Sequence, residues 1–308
     1  MDRKEFLKSL ATAGFAGSIV SFDKLSLLAQ DGKDGAPDLV AVLGGEPVPM
    51  YTKGIAAMGG LAKYIHKGDR VVLKPNIGWD RTPEMGANTN PDLVGAIVRD
   101  CFEAGAKEVL VFDHSCDNWR KAYAASGIEK AATAAGAKMI PSDEEDYYTE
   151  IELTRAKVLK KTKIHKAILD CDVWFNIPIL KAHRAIQISI AMKNLMGIIW
   201  DRQFFHRNDL PQSIADLNSF EKKPALNIVD AYRLLKTNGP RGLSESDAIL
   251  SKGLFISADP VAVDTAATKF LGQVANLNVD QIEQIDRARK LGIGTDDLDS
   301  LNIERIRI

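Results

Sequence analysis

The sequence of 308 residues has little cysteine, only three residues, and few aromatics, at 7%. Three cysteines are too few for a disulfide framework. None stands in a C-x-x-C pair, which removes the usual spacing of an iron–sulfur cluster or a structural zinc site built on this chain. Charge of one sign is missing too: 40 Lys and Arg stand against 41 Asp and Glu, a net charge of −1. No nucleic-acid partner is expected, because no basic excess is left to neutralise phosphates. There is no run of 18 uncharged apolar residues, so no membrane span is expected once a signal is removed. The G-x-G-x-x-G fingerprint, the Walker loop, the G-x-S-x-G elbow and the H-E-x-x-H zinc motif are all missing. What is present is 45% hydrophobic and 26% charged residues, enough for a sizeable core and too apolar for a disordered chain.

Residues 1–30 read as an export signal. A charged start, Asp2 to Lys8, precedes a small, apolar, uncharged stretch from Ser9 to Phe22. Arg3-Lys4-x-Phe6-Leu7-Lys8 resembles a twin-arginine signal whose second Arg is replaced by Lys. An ordinary secretory signal or an amphipathic first helix is the alternative. The expected location is exported and periplasmic. Residues 31–37 form a linker, and 38–308 form a single domain.

That domain alternates short apolar runs with helical stretches. Strands are predicted at 39–43, 70–74, 108–112, 138–140, 151–159, 172–176, 225–229, 253–257 and 301–308. Helices are predicted at 52–65, from Asn90-Pro91-Asp92 to 104, and at 119–135, 163–170, 260–271 and 279–290. The pattern implies an α/β fold with a mostly parallel sheet covered by helices. Residues 181–224 fit the alternation least and are expected to be an inserted subdomain or lid.

In such sheets ligands bind beyond the carboxyl ends of the strands. The polar residues there are Lys74 and Asn76; Asp113, His114 and Ser115; Asn176, Lys181 and His183; Asp230; and Asp259. Lys74 can bind an anion or act as a base if burial lowers its pKa; a lysine reaching back to solvent is the alternative. Lys181-Ala-His183-Arg184 concentrates positive and proton-carrying groups suited to a carboxylate or phosphate, or else is a surface basic loop. Lys193 and Asn194 interrupt the apolar run 187–200, which is costly unless both are satisfied or face a cavity. Gly197 then reads as a helix stop. His206, among Phe204, Phe205 and Arg207, is a candidate pocket wall. Asp259 reads as a helix cap, and Asp264 in an apolar helix needs a cationic partner. The turn Asn238–Gly242 is a candidate anion cradle. A metal site is left open, with His206 and Asp230 as one pairing.

The runs Leu73-Lys-Pro-Asn76, Asn176 to His183, Ala191-Met-Lys-Asn-Leu-Met-Gly197, Asn227-Ile-Val-Asp230, Asn238-Gly-Pro240 and Ala258 to Asp264 stand in this order. Together they resemble the family called domain of unknown function 362, over about residues 38–273. The resemblance implies site residues at Lys74, Asn76, Lys181, His183, Lys193, Asn194, Asp230, Asp259 and Asp264. Many members of the family are joined to a ferredoxin-like segment with four-Cys motifs, which this sequence does not contain. Three functions remain open: an enzyme acting on a small anionic molecule, with Lys181, His183, Lys193 and Asp230 carrying the chemistry; a non-catalytic ligand-binding or cofactor-carrying accessory protein; or a redox protein with a separate iron–sulfur partner. No cofactor is specified by the sequence.

Overall fold

The structure, a computed structural model, describes residues 35–275 and 277–308. The expected export segment and the start of the linker lie outside the described residues.

The chain runs β1 (Leu39–Leu43), α1 (Pro47–Ala57), β2 (Arg70–Pro75), α2 (Pro91–Glu103), β3 (Glu108–Val111), α3 (Trp119–Ala125), α4 (Ile128–Ala134), β4 (Lys138–Met139), β5 (Tyr148–Glu152), β6 (Lys161–His165) and α5 (Lys166–Asp170). It continues through β7 (Val173–Ile177), β8 (Ile179–His183), β9 (Gln187–Ser189), α6 (Ala191–Asn194), α7 (Gln203–Arg207), α8 (Leu210–Leu217), β10 (Leu226–Leu235), β11 (Ala248–Ser257), α9 (Pro260–Leu271), α10 (Glu283–Lys290) and β12 (Ile303–Arg307). The main sheet has the order β12-β1-β11-β10-β7-β2-β3-β4. In that row only β11 runs antiparallel to its neighbours. The fold is therefore α/β with a mostly parallel sheet.

Both faces of the sheet are covered, which is why its strands read as unbroken apolar runs. In β1, Leu39, Ala41 and Leu43 enter one core, and Val40 and Val42 enter the other. Helices α1 to α4 cover the second face, and α6, α8, α9 and α10 the first.

Local chemistry sets the helix starts. The Asn90 side chain accepts from the N–H groups of Asp92 and Leu93, with Pro91 in the first turn of α2. The helix expected over 119–135 is divided in two because Gly127 turns the chain with φ 72°, a conformation that side chains other than glycine seldom adopt. The strand expected over 151–159 is confined to β5, which begins earlier and ends at Glu152. Its partner β6 takes the first residues of the helix expected at 163–170.

The segment 181–224 serves the sheet, the core and the site together. Pro178 separates β7 from β8, yet β8 continues along β10, with β9 folded back on it. Helices α6 and α8 bury apolar residues in the core. The segment lines a cavity at Lys181, at Ser189, over 193–197 and around 200–206.

From β2 the chain steps outward to β3 and β4, then returns to β7 on the other side of β2. That reversal opens a crevice beyond the carboxyl ends of β2 and β7. Register sets what stands there. Lys74 pairs with Asn176, Asn176 with Asn227, and Asn227 with Ser257, so a polar row crosses four adjacent strands of an otherwise apolar sheet.

Candidate active site

A cavity of about 650 Å³ lies over this crevice. Lys74, Asn76, Asp113, Lys181, Lys193, Asn194 and His206 all line it, from stretches far apart in the sequence.

Lys74, near the end of β2, is 1% exposed. Its Nζ donates to Asn194 Oδ1 at 2.8 Å and to Pro75 O at 3.0 Å. It lies 2.8 Å from Asp113 Oδ1, a charge contact without hydrogen-bond angles. Asp113 Oδ2 accepts from the Ile77 N–H at 2.7 Å. Burial holds the Lys74 ammonium below the ordinary lysine value, and Asp113 pulls it back upward.

Asn194 joins two strand ends and is fully satisfied. Its Oδ1 also accepts from Asn76 Nδ2, and its Nδ2 donates to Asn176 Oδ1 and Lys74 O. Asn176 Nδ2 in turn donates to Asn227 Oδ1 and Ala191 O. The anomaly at 193–194 thus resolves into its two permitted outcomes: Asn194 is bonded on both ends, and Lys193 faces the cavity.

Lys181, also 1% exposed, donates to Asn76 Oδ1 at 2.9 Å and to Ala87 O at 2.8 Å. Both partners are neutral. Burial, with the charge of Lys193 adding to it, lowers Lys181 to about 7. Lys193 keeps part of its surface open and has no ion pair or hydrogen bond among the described residues. Burial, against the opposing pull of Cys116, lowers it to about 8.

Three carboxylates line the cavity, and each is already engaged. Asp113 pairs with Lys74, Glu145 pairs with Lys163 at 2.7 Å, and Asp201 accepts from the N–H groups of Gln203 and Phe204. Arg202 donates to the carbonyls of His114 and Ser115 and to Cys116 Sγ. Lys181, Lys193 and Arg202 therefore have no carboxylate partner. The cavity carries an unbalanced positive charge that an anion would satisfy.

The other expected residues lie elsewhere. His183 is buried but does not line the cavity. Its Nδ1 accepts from the Ala185 N–H at 3.1 Å, which puts the ring proton on Nε2, and burial with Lys193 lowers it to about 3. There the ring braces the turn that follows β8. Asp230 lines a second cavity of about 260 Å³ and accepts from the N–H groups of Asn90 and Tyr232, so it does not meet His206 in a metal pair. Asp264 has no lysine partner. Its two oxygens accept from the N–H groups of Ala191 at 2.7 Å and Met192 at 3.1 Å, anchoring α6. Asp259 caps α9 and accepts from the Thr295 N–H. The turn 238–242 is no open cradle: Asp247 fills it, accepting from Asn238, Thr237 and the N–H groups of Leu243 and Ser244.

Gly197 lies within a 3-10 turn and does not stop a helix. A Cβ there would lie 1.8 Å from Asp113 Oδ1 and 2.6 Å from Lys74 Cε. Only glycine lets the backbone pass this close to the ion pair. Sequence reasoning also left out Trp79, Trp200 and Arg202 as site residues. The closing Trp of the apolar run, followed by a charged pair, is the signal that could have found the last two.

No group of three or more His, Cys, Asp or Glu residues able to hold a metal is present among the described residues. Cys101 and Cys171 are buried, Cys116 is exposed, and all three are free thiols. None of the described helices is long and apolar enough to cross a membrane.

The chain is 25% identical over 225 residues to the thylakoid-associated protein sll1697 of Synechocystis sp., a match covering 70% of this chain and 66% of that protein. Among solved structures it is similar to the lactate racemase apoprotein from Thermoanaerobacterium thermosaccharolyticum, with a TM-score of 0.48 and 12% identity over 78% of this chain and 60% of that one. The chain thus spans less than two thirds of the length of either. The family described as domain of unknown function (DUF362) matches residues 71–269, which include the cavity's lysines, Asn194 and Arg202. This chain belongs to the DUF362 family.

Proposed function

We propose that this protein is an enzyme acting on a small anionic molecule, a carboxylate or phosphate compound, bound in the lysine-lined cavity. The observation that carries the reading is the ammonium of Lys193, which faces the cavity without an ion pair or hydrogen bond, beside Lys181 and Arg202 that also have no carboxylate partner. Lys181 and Arg202 are held in place by neutral acceptors, which suits them to binding. Lys193 is untethered and lowered to about 8, so near neutral pH its charged and uncharged forms are both accessible. That suits it to moving a proton at a carbon next to the bound anion's carboxyl or carbonyl group. Asp113 and Asn194 position Lys74 and the loop beneath it.

The test is proton exchange in heavy water, followed by nuclear magnetic resonance, on a panel of 2-hydroxy and 2-keto acids and phosphate esters. Enzyme-dependent deuteration of a bound compound, lost in Lys193→Met while the fold is retained, is the expected result. Tight binding without exchange at any position would leave a ligand-binding accessory protein instead. The sequence of residues 1–30 adds an exported, periplasmic setting to the proposal. Fusing that segment to a reporter that matures only after export tests it separately.

A further inference from the structure

A cavity of about 650 Å³ is the size of sites that enclose drug-sized ligands, far beyond a bare carboxylate or phosphate. Its cationic end accounts for only part of its wall. Another part is aromatic: two of the chain's four tryptophans, Trp79 and Trp200, line it together with His114. The Trp200 and His114 rings are stacked at 5.3 Å between centroids and only 6° from parallel. His114 Nδ1 donates to Ile199 O at 2.9 Å, which fixes the ring. Burial and the charge of Arg202 hold His114 low, so its ring is neutral and backs the Trp200 indole. Trp79 lies under the Arg241 guanidinium, 5.8 Å from its centroid, and Arg241 is tethered to Asp117 at 3.3 Å. Neither indole N–H has a hydrogen-bond partner among the described residues.

We infer that the ligand of this site joins its anionic group to a planar, unsaturated ring. The anion meets Lys181, Lys193 and Arg202, and the ring lies against the aromatic wall of Trp200, His114 and Trp79. This rests on the anion reading above and narrows it to a chemical class. An aliphatic anion would leave the exposed parts of the two indoles facing water. A ring laid against them gains dispersion and removes apolar surface from water on both sides.

The experiment titrates the full chain with matched pairs, phenyl phosphate against ethyl phosphate and phenylpyruvate against pyruvate, by calorimetry. The ring-bearing member of each pair should bind about tenfold tighter or more, the scale expected for stacking on an exposed aromatic. Trp200→Leu should remove most of that preference, weakening phenyl phosphate more than ethyl phosphate. Trp200→Phe, which keeps a ring, should retain it and shows that the site still folds. Lys193→Met should weaken both members of each pair. Equal binding of ring-bearing and ringless anions would overturn the ring inference and leave the anion reading standing. Phenol binding as tightly as phenyl phosphate, unaffected by Lys193→Met, would overturn the anion reading. Failure of all four compounds to bind would overturn both.

Discussion

Asp230, Asp259 and Asp264 share with Lys74, Lys181 and Lys193 a place in the same family motifs, yet the structure puts the two groups to different use. Each of the aspartates directs its oxygens at backbone N–H groups: Asn90 and Tyr232, Val261, Ala262 and Thr295, Ala191 and Met192. They hold loops and helix ends in place. Among the lysines, only Lys74 has a carboxylate, and Lys193 has no partner at all. A charged residue after a strand is thus not a site by position alone. It becomes one when the backbone has not already claimed it.

The difference can be broken from both sides. The largest effect is expected at Asp264. Asp264→Ala leaves the Ala191 and Met192 N–H groups buried without acceptors and should cost about 3 kcal/mol, read by chemical denaturation. Next comes Gly197→Ala. Its Cβ would collide with the Lys74–Asp113 pair, so about 2 kcal/mol should be lost together with anion binding. Lys193→Met is the counterpart: it should weaken anion binding about 10- to 100-fold while leaving denaturation unchanged or slightly stabilised, because an unpaired charge is removed from a wall. Equal destabilisation by Lys193→Met and Asp264→Ala would erase the distinction between the two groups.

The smaller effects lie in pH. Lys193 at about 8 and Lys181 at about 7 become charged as pH falls from about 9 to about 6, so anion affinity should rise through that window and level off below it. Stability separates the groups by sign. Asp264 is raised by burial from 3.8 to about 8, so its contribution is complete below about pH 4 and is lost as pH rises to about 8. Lys181 is lowered from 10.5 to about 7, so its contribution is present above 10.5 and is lost as pH falls to about 7. Asp264→Asn should flatten the acid-side slope, and Lys181→Met the alkaline-side slope, in denaturation measured across pH 4–10.

Much of the fold was legible from local pattern. The apolar runs at 39–43, 70–74, 172–176 and 253–257 lie within observed strands to within a residue, because burial on both faces leaves no place for polar side chains. Asn90-Pro91 and Asp259-Pro260 mark helix starts because a cap is a contact between near neighbours in the chain. Lys193-Asn194 stood out because polar groups in an apolar run need an explanation. The role of each lay beyond local reach. His183 and Asp264 satisfy backbone N–H groups two and more than seventy residues away, and no spacing rule reveals which N–H a turn or a distant helix will leave open.

The sequence by itself determined the alternation, the covered parallel strands, the family motifs and the set of polar residues after the strands, since each follows from composition and periodicity along the chain. Tertiary structure alone decided which of those residues share a cavity. Strand register aligned Lys74, Asn176, Asn227 and Ser257 into one row, and the bare backbone at Gly197 let its turn close over the ion pair. The segment around 200 brought Trp200 and Arg202 to a site otherwise built by α6 and by the ends of β2, β3 and β8. Those are contacts between residues 30 or more positions apart, and they depend on packing that exists only once the chain has closed around its core.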